Sequence, residues 1–158
     1  MLGSHPDERV PRYLEKKEEG MEKKRILIID DEPDFVRVVQ LRLEAAGYHV
    51  LAAFDGMQGV SAAHKEKPDV IILDIMMPAM HGHRVCEALK KSSKTWTIPI
   101  IYLTAKGNKE DEELAYKLGA EHFLTKPYDP KVLLNVIERA LDPNAQLQKY
   151  EKKEREKV

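Results

Sequence analysis

The chain reads as one α/β domain in which strand and helix alternate five times, and three observations predict it. Short runs of aliphatic and β-branched residues recur at 26–29, 50–53, 70–73, 98–103 and 122–124. The segments between them repeat apolar residues at helical spacing, with charged residues on the opposite faces. Two of the runs, Ile-Leu-Ile-Ile and Val-Ile-Ile-Leu, show no polar alternation, so both of their faces must be covered, as in a parallel sheet with helices on two sides. A (βα)5 unit with right-handed crossovers follows.

The elements can be justified in order. The first strand leads into a helix carrying Phe35, Val38, Val39, Leu43 and Ala46, which Gly47 closes. The second strand ends in Phe54-Asp55-Gly56, and Pro68 precedes the third. Gly119 ends the fourth helix, and the fifth carries Leu133, Leu134, Ile137 and Leu141.

Charge sets the boundaries. Residues 1–24 hold six basic and six acidic side chains with few large apolar ones, which reads as a charged extension or tag. Residues 142–158 hold five basic and four acidic, a tail, helix or linker with little to bury beyond Leu147, Tyr150 and Val158. Asp142-Pro143-Asn144 predicts a break there, and 146–157 can form a helix with Glu151 and Arg155 paired at i,i+4. The remaining segment, 25–141, is the domain.

Several function classes are excluded at this level. The net charge of −1 and a pI near 6.6 leave no general basic field for nucleic acid or an anionic membrane. With no helix-turn-helix and no Gly-rich phosphate loop, no direct nucleic-acid contact is expected. Cys86 is the single cysteine, which excludes an internal disulfide and a Cys-rich zinc site. No apolar run approaches the roughly 20 residues that span a bilayer, so no membrane insertion is expected and a cytoplasmic location is the default.

In open α/β sheets the reactive crevice lies beyond the carboxyl ends of the strands. Strand one ends in Asp30-Asp31, strand three in Asp74, strand four in Thr104 and strand five in Lys126. Three carboxylates brought together repel, so either one stays protonated or a cation sits among them. A hard divalent ion is the economical answer, and Mg2+ fits oxygen-only ligands where no His or Cys ends a strand. A phosphoryl group gives Lys126 and Thr104 a reason to face the same ion. One carboxylate can itself be the nucleophile, and Asp74, closing the central strand, is the best candidate.

These residues resemble a family. Asp30-Asp31, Asp74-Ile75-Met76-Met77-Pro78-Ala79-Met80-His81-Gly82, Thr104-Ala105 and Lys126-Pro127 are similar to the receiver domain of two-component response regulators, over positions 25–141. The resemblance implies a flavodoxin-like doubly wound parallel sheet of order 2-1-3-4-5. It implies that Asp74 accepts a phosphoryl group from a histidine kinase or histidine phosphotransfer protein. Asp31, Asp74 and the Met76 carbonyl would hold Mg2+, Asp30 would contribute directly or through water, and Lys126, after a cis bond to Pro127, would pair with phosphoryl oxygens. Thr104 and Phe123 would form the switch, repacking the face of helix four, strand five and helix five. A downstream effector or a phosphorylation-dependent homodimer would meet that face. Met76 and Lys106 fall where relatives tune phosphoryl lifetime, and a bulky apolar residue beside a basic one implies a longer-lived signal.

Rival readings are weaker. An interaction module independent of Mg2+ would be favoured by a missing site residue, and none is missing. An aspartyl-nucleophile phosphohydrolase would carry a second acid two residues after the nucleophile, where Met76 stands. The protein is therefore expected to be a phospho-accepting switch that catalyses its own phosphorylation and dephosphorylation, without metabolic turnover. Cys86 is expected to be a small buried hydrophobe, His81 and His83 to be surface residues, Met77 and Met80 to be packing, and Trp96 to cover the start of strand four.

Overall fold

A computed structural model describes residues 22–157. Its order is β1 (Arg25–Ile29), α1 (Pro33–Ala45), β2 (His49–Ala53), α2 (Gly56–Glu66), β3 (Val70–Leu73), α3 (Gly82–Lys91), β4 (Ile100–Thr104), α4 (Lys109–Lys117), β5 (His122–Thr125), α5 (Pro130–Ala140) and α6 (Pro143–Glu156). The five strands form one parallel sheet in the order β2-β1-β3-β4-β5, as the resemblance implied. Ile29 pairs with Ala53 on one side and Leu73 on the other, Leu73 with Tyr102, and Thr104 with Thr125. That register brings the carboxyl ends of β1, β3, β4 and β5 level along one edge.

The unbroken apolar strands are explained by two cores. Alternate side chains of β1, β3 and β4 point to opposite faces. Ile26, Ile28, Val70, Ile72 and Ile101 pack under Val36, Val39 and Leu43 of α1 and Leu133, Val136 and Ile137 of α5. Leu27, Ile29, Ile71, Leu73 and Tyr102 pack under Ala63 of α2, Val85, Cys86 and Leu89 of α3, and Ala115 of α4. Each fully buried aliphatic side chain contributes about 1.5–3 kcal/mol, so the central strands anchor the edge that carries the polar groups.

Helix boundaries follow their caps. Asp55, Asn108 and Asp129 accept backbone N–H groups from the first turns of α2, α4 and α5, and Pro130 occupies the first turn of α5, where its missing N–H costs nothing. Gly47 leaves α1 at φ +99°, a conformation that favours glycine.

Two boundaries need correction. Strand four starts at Ile100, not at position 98, because the Ile98 N–H closes a turn onto the Thr95 carbonyl and Pro99 has no N–H to donate. A sixth helix is present and starts at Pro143 rather than Gln146. The predicted break is present, at 141–142 between α5 and α6: Asp142 caps the new helix by accepting the Asn144 N–H at 3.0 Å, and Pro143 starts it. Trp96 is half-buried beneath that helix, its ring edge-on to Tyr150 at 5.0 Å and its face 3.5 Å from the Lys153 ammonium. Lys149 of α6 pairs with Glu121, which also holds Lys90 and the Ile100 N–H. The expected extension at 1–24 lies outside the described residues except for 22–24.

Candidate functional site

Asp30 follows β1 directly, and its backbone N–H still bonds to Ala53 as the ladder ends. The residue is 2% exposed. One carboxylate oxygen accepts the Glu32 N–H at 2.9 Å, and the other accepts the Lys126 ammonium at 2.8 Å. Burial raises the Asp30 pKa above its ordinary value. The bonds from Lys126 and the Glu32 N–H only partly offset that, and the Asp74 charge adds to it.

Asp74 follows β3 and is 5% exposed. One oxygen accepts the Ile75 N–H at 2.7 Å, while the other lies 3.5 Å from Lys126 Nζ. Gly82, at the first turn of α3, makes this loop possible. Its N–H bonds to the Ile75 carbonyl at 2.7 Å, and a Cβ there would come within 2.1 Å of the Asp74 carbonyl oxygen.

Lys126 leaves β5 with its N–H on the Thr104 carbonyl, and its bond to Pro127 is cis. Its ammonium lies 2.8 Å from Asp30, 3.5 Å from Asp74 and 3.8 Å from Glu32. Burial opposes the charge on Lys126, but the hydrogen bond to Asp30 and the three carboxylates outweigh it and raise the pKa above the ordinary lysine value. Thr104 ends β4 fully buried, its hydroxyl oxygen accepting the Lys106 N–H at 3.1 Å.

The four strand-end residues predicted to share one edge therefore do so. Asp31 is exposed at the rim, and Met76 is 54% exposed on the loop after Asp74. With Glu32, Thr104, Ala105, Lys106 and Asp74 they line an open cleft of about 540 Å³. Phe123 stands one strand over, half-buried, stacked on Tyr102 at 5.6 Å and 25°.

The donor set fits a hard cation. Carboxylate oxygens of Asp30, Asp31, Glu32 and Asp74 all lie within 4.8 Å of one another. Four acids against one ammonium leave an excess of negative charge that a divalent ion bound by oxygen relieves. Glu32 was not among the predicted ligands. Its signal was its place beside the acid pair, but as the first residue before a helix it also reads as a cap.

His83 overturns an expectation. It is 8% exposed rather than a surface residue, with Nδ1 3.1 Å from the Tyr102 hydroxyl and Nε2 2.9 Å from Asp111. His81 is half-buried and caps α3. Cys86 is buried as expected, and burial pushes its thiol pKa up. Met77 and Met80 pack against the core, also as expected.

The comparisons agree with this geometry. The model of the response regulator receiver domain matches residues 26–138, and the chain belongs to that family. It is 43% identical over 110 residues to the DNA-binding dual master transcriptional regulator RpaA of Synechocystis sp., covering 70% of this chain and 46% of that protein. It is 40% identical over 117 residues to the protein PilH of Pseudomonas aeruginosa, covering 74% of this chain and 97% of that one. Against several other curated relatives, as against RpaA, the chain spans less than half of their length. Among solved structures it superposes on the Vibrio cholerae chemotaxis protein CheY4 with a TM-score of 0.72 and 33% identity, over 76% of this chain and all of that one. The receiver domain of the sensor histidine kinase PA1611 from Pseudomonas aeruginosa matches with a TM-score of 0.71 and 28% identity, over 76% and 98%. That structure holds a magnesium ion in its active-site cleft. The chain is thus a receiver domain of the two-component response regulators, a signalling switch. Among the described residues no helix is long and apolar enough to cross a membrane.

Proposed function

We propose that Asp74 is the phosphoacceptor of this receiver and that a histidine kinase or histidine phosphotransfer protein is the donor. The observation that carries the reading is the Lys126 ammonium, shared between Asp30 at 2.8 Å and Asp74 at 3.5 Å at the edge where four strands end.

One oxygen of Asp74 is tied to the Ile75 N–H, which leaves the other, facing the cleft, as the attacking atom. Its attack on phosphorus forms the acyl phosphate as the bond to the donor imidazole breaks, and the imidazole departs with a proton. Lys126 then moves its ammonium from the carboxylates toward the new phosphoryl oxygens. Asp31, Asp74 and the Met76 carbonyl, with Asp30 and Glu32 beside them, would hold Mg2+, which neutralises the charge gathered there. The magnesium held by the PA1611 receiver supports that assignment.

Thr104 would give up the Lys106 N–H and turn its hydroxyl toward the phosphoryl group. Phe123 has no hydroxyl, so packing alone would draw it into the space that Thr104 vacates. The change would be read on the face of α4, β5 and α5 by an effector protein or a second copy of the chain. Met76 and Lys106 both line the cleft, and they favour a long-lived phosphoryl group.

Intact mass after incubation with acetyl phosphate tests the reading. One added phosphoryl group that requires both Mg2+ and Asp74, and is lost in Asp74→Asn, is expected. No adduct on a folded protein would favour a phosphorylation-independent interaction module.

A further inference from the structure

Lys126 is held from two sides. Three carboxylates draw its ammonium toward the cleft, while on the far side it lies 3.9 Å from the centroid of the Phe35 ring. Phe35 belongs to α1, a few residues beyond the acid pair, and is half-buried. Tyr128, two residues after Lys126, meets its ring edge-on at 6.0 Å and 83°. Both rings line a hollow of about 460 Å³ beside the cleft.

We infer that Phe35 is a positioning residue for Lys126, and that its aromatic face, not its bulk, holds the ammonium over the acid cluster. The inference rests on the reading that Asp74 takes the phosphoryl group and Lys126 pairs with it. A lysine reaches its target on a flexible four-carbon stem and needs restraint to be ready for an incoming anion. A carboxylate in place of the ring would supply that restraint, but it would compete with the phosphoryl oxygens for the ammonium. The face of an aromatic ring attracts a cation without bearing a net charge, and it keeps water from the back of the ammonium. The N–H groups then point toward Asp30 and Asp74. Tyr128 fixes the tilt of the ring, so the same loop that delivers Lys126 also sets its backstop.

Bulk and aromaticity can be separated on the full chain. Phe35→Leu keeps an apolar residue, Phe35→Tyr keeps a ring, and Phe35→3,4,5-trifluorophenylalanine keeps the ring's shape while withdrawing the negative charge of its face. The rate of phosphorylation by acetyl phosphate with Mg2+ is followed by intact mass. In the metal-free protein, the upfield ring-current shift of the Lys126 Cε protons is read by NMR. The leucine and trifluoro variants are expected to react about fivefold more slowly, with tyrosine close to wild type. The Lys126 shift is expected to vanish in Phe35→Leu and persist in Phe35→Tyr. A trifluoro variant as fast as wild type overturns the inference, as does a wild-type Lys126 signal without ring-current shift. Should the leucine variant not fold, the trifluoro comparison decides alone. A wild type that gains no phosphoryl group at Asp74 sinks the proposed function, and the NMR shift still judges the contact.

Discussion

His83 Nε2 lies 2.9 Å from Asp111 Oδ1, joining the first turn of α3 to the first turn of α4. On its other side His83 meets the hydroxyl of Tyr102, whose ring stacks on Phe123. A ring carrying its proton on Nε2 donates to Asp111 and accepts from Tyr102 at once, so both ring nitrogens of this histidine are used. The start of α4 is thereby tied to the aromatic pair beside Thr104.

Breaking that tie strands the buried Tyr102 hydroxyl and the part-buried Asp111 carboxylate. His83→Leu is expected to cost about 3 kcal/mol in urea unfolding, from the lost hydrogen bonds and the unsatisfied Tyr102 and Asp111 atoms. The hydrogen bond from His83 also holds the Asp111 carboxyl below its ordinary value, with Lys106 assisting and burial opposing. The folded pKa is then below the unfolded one. This contribution is complete above the ordinary aspartate value and is lost as the pH falls through the native value. The difference in stability between wild type and Asp111→Asn should therefore shrink on acidification over that range, and a constant difference would refute the linkage.

Asp30 behaves in the opposite sense. Burial raises its pKa, so in the absence of metal its ionised form opposes folding, and this carboxyl favours the fold most when protonated. Its contribution therefore falls as the pH rises from the ordinary aspartate value through the native one. Asp30→Asn should raise the urea midpoint of the metal-free protein at neutral pH. The same change should weaken the response to Mg2+, which at a hundredfold excess over its dissociation constant adds about 2.7 kcal/mol to the wild type. Equal Mg2+ stabilisation in both proteins would remove Asp30 from the ligand set.

Gly82 is a steric requirement of the site. A methyl group there would meet the Asp74 carbonyl oxygen at 2.1 Å and the Ile75 Cα at 2.7 Å, and neither backbone atom can yield as a flexible side-chain tip would. Gly82→Ala should cost about 3 kcal/mol and slow phosphorylation of Asp74. Thermal melting and intact mass measured on the same sample separate the two effects.

Trp96 reports on α6, because it is the only tryptophan in the chain. Tyr150→Ala with Lys153→Ala removes the edge-on ring and the cation over the indole, and its emission should shift to the red at a cost of about 1 kcal/mol. An unchanged spectrum would mean that α6 does not rest on Trp96 in solution.

The placement of polar residues at one edge was legible because it is written along the chain. Each of Asp30, Asp74, Thr104 and Lys126 follows an apolar run, and a parallel sheet carries such residues to one edge whatever its loops do. The two-faced hydrophobicity of β1 and β3 likewise demanded helices on both sides, which α1 and α5 on one face and α2, α3 and α4 on the other provide. Pairings across the fold were not legible. Phe35 read only as part of the helical apolar row of α1, and nothing local says that its face meets an ammonium just after β5, 91 positions later. His83 read as a surface residue because its partners stand on β4 and α4. The charges of 142–158 read as a tail, helix or linker with no stated docking place, and only the fold gave Lys149 and Lys153 Glu121 and Trp96 to dock on. The sequence by itself determined periodicity, caps and the residue at each strand end, which are properties of neighbours along the chain. Only the tertiary structure decided which ring backs Lys126, which acid holds His83 and where the last helix lies, because those depend on distances between segments that local patterns do not encode.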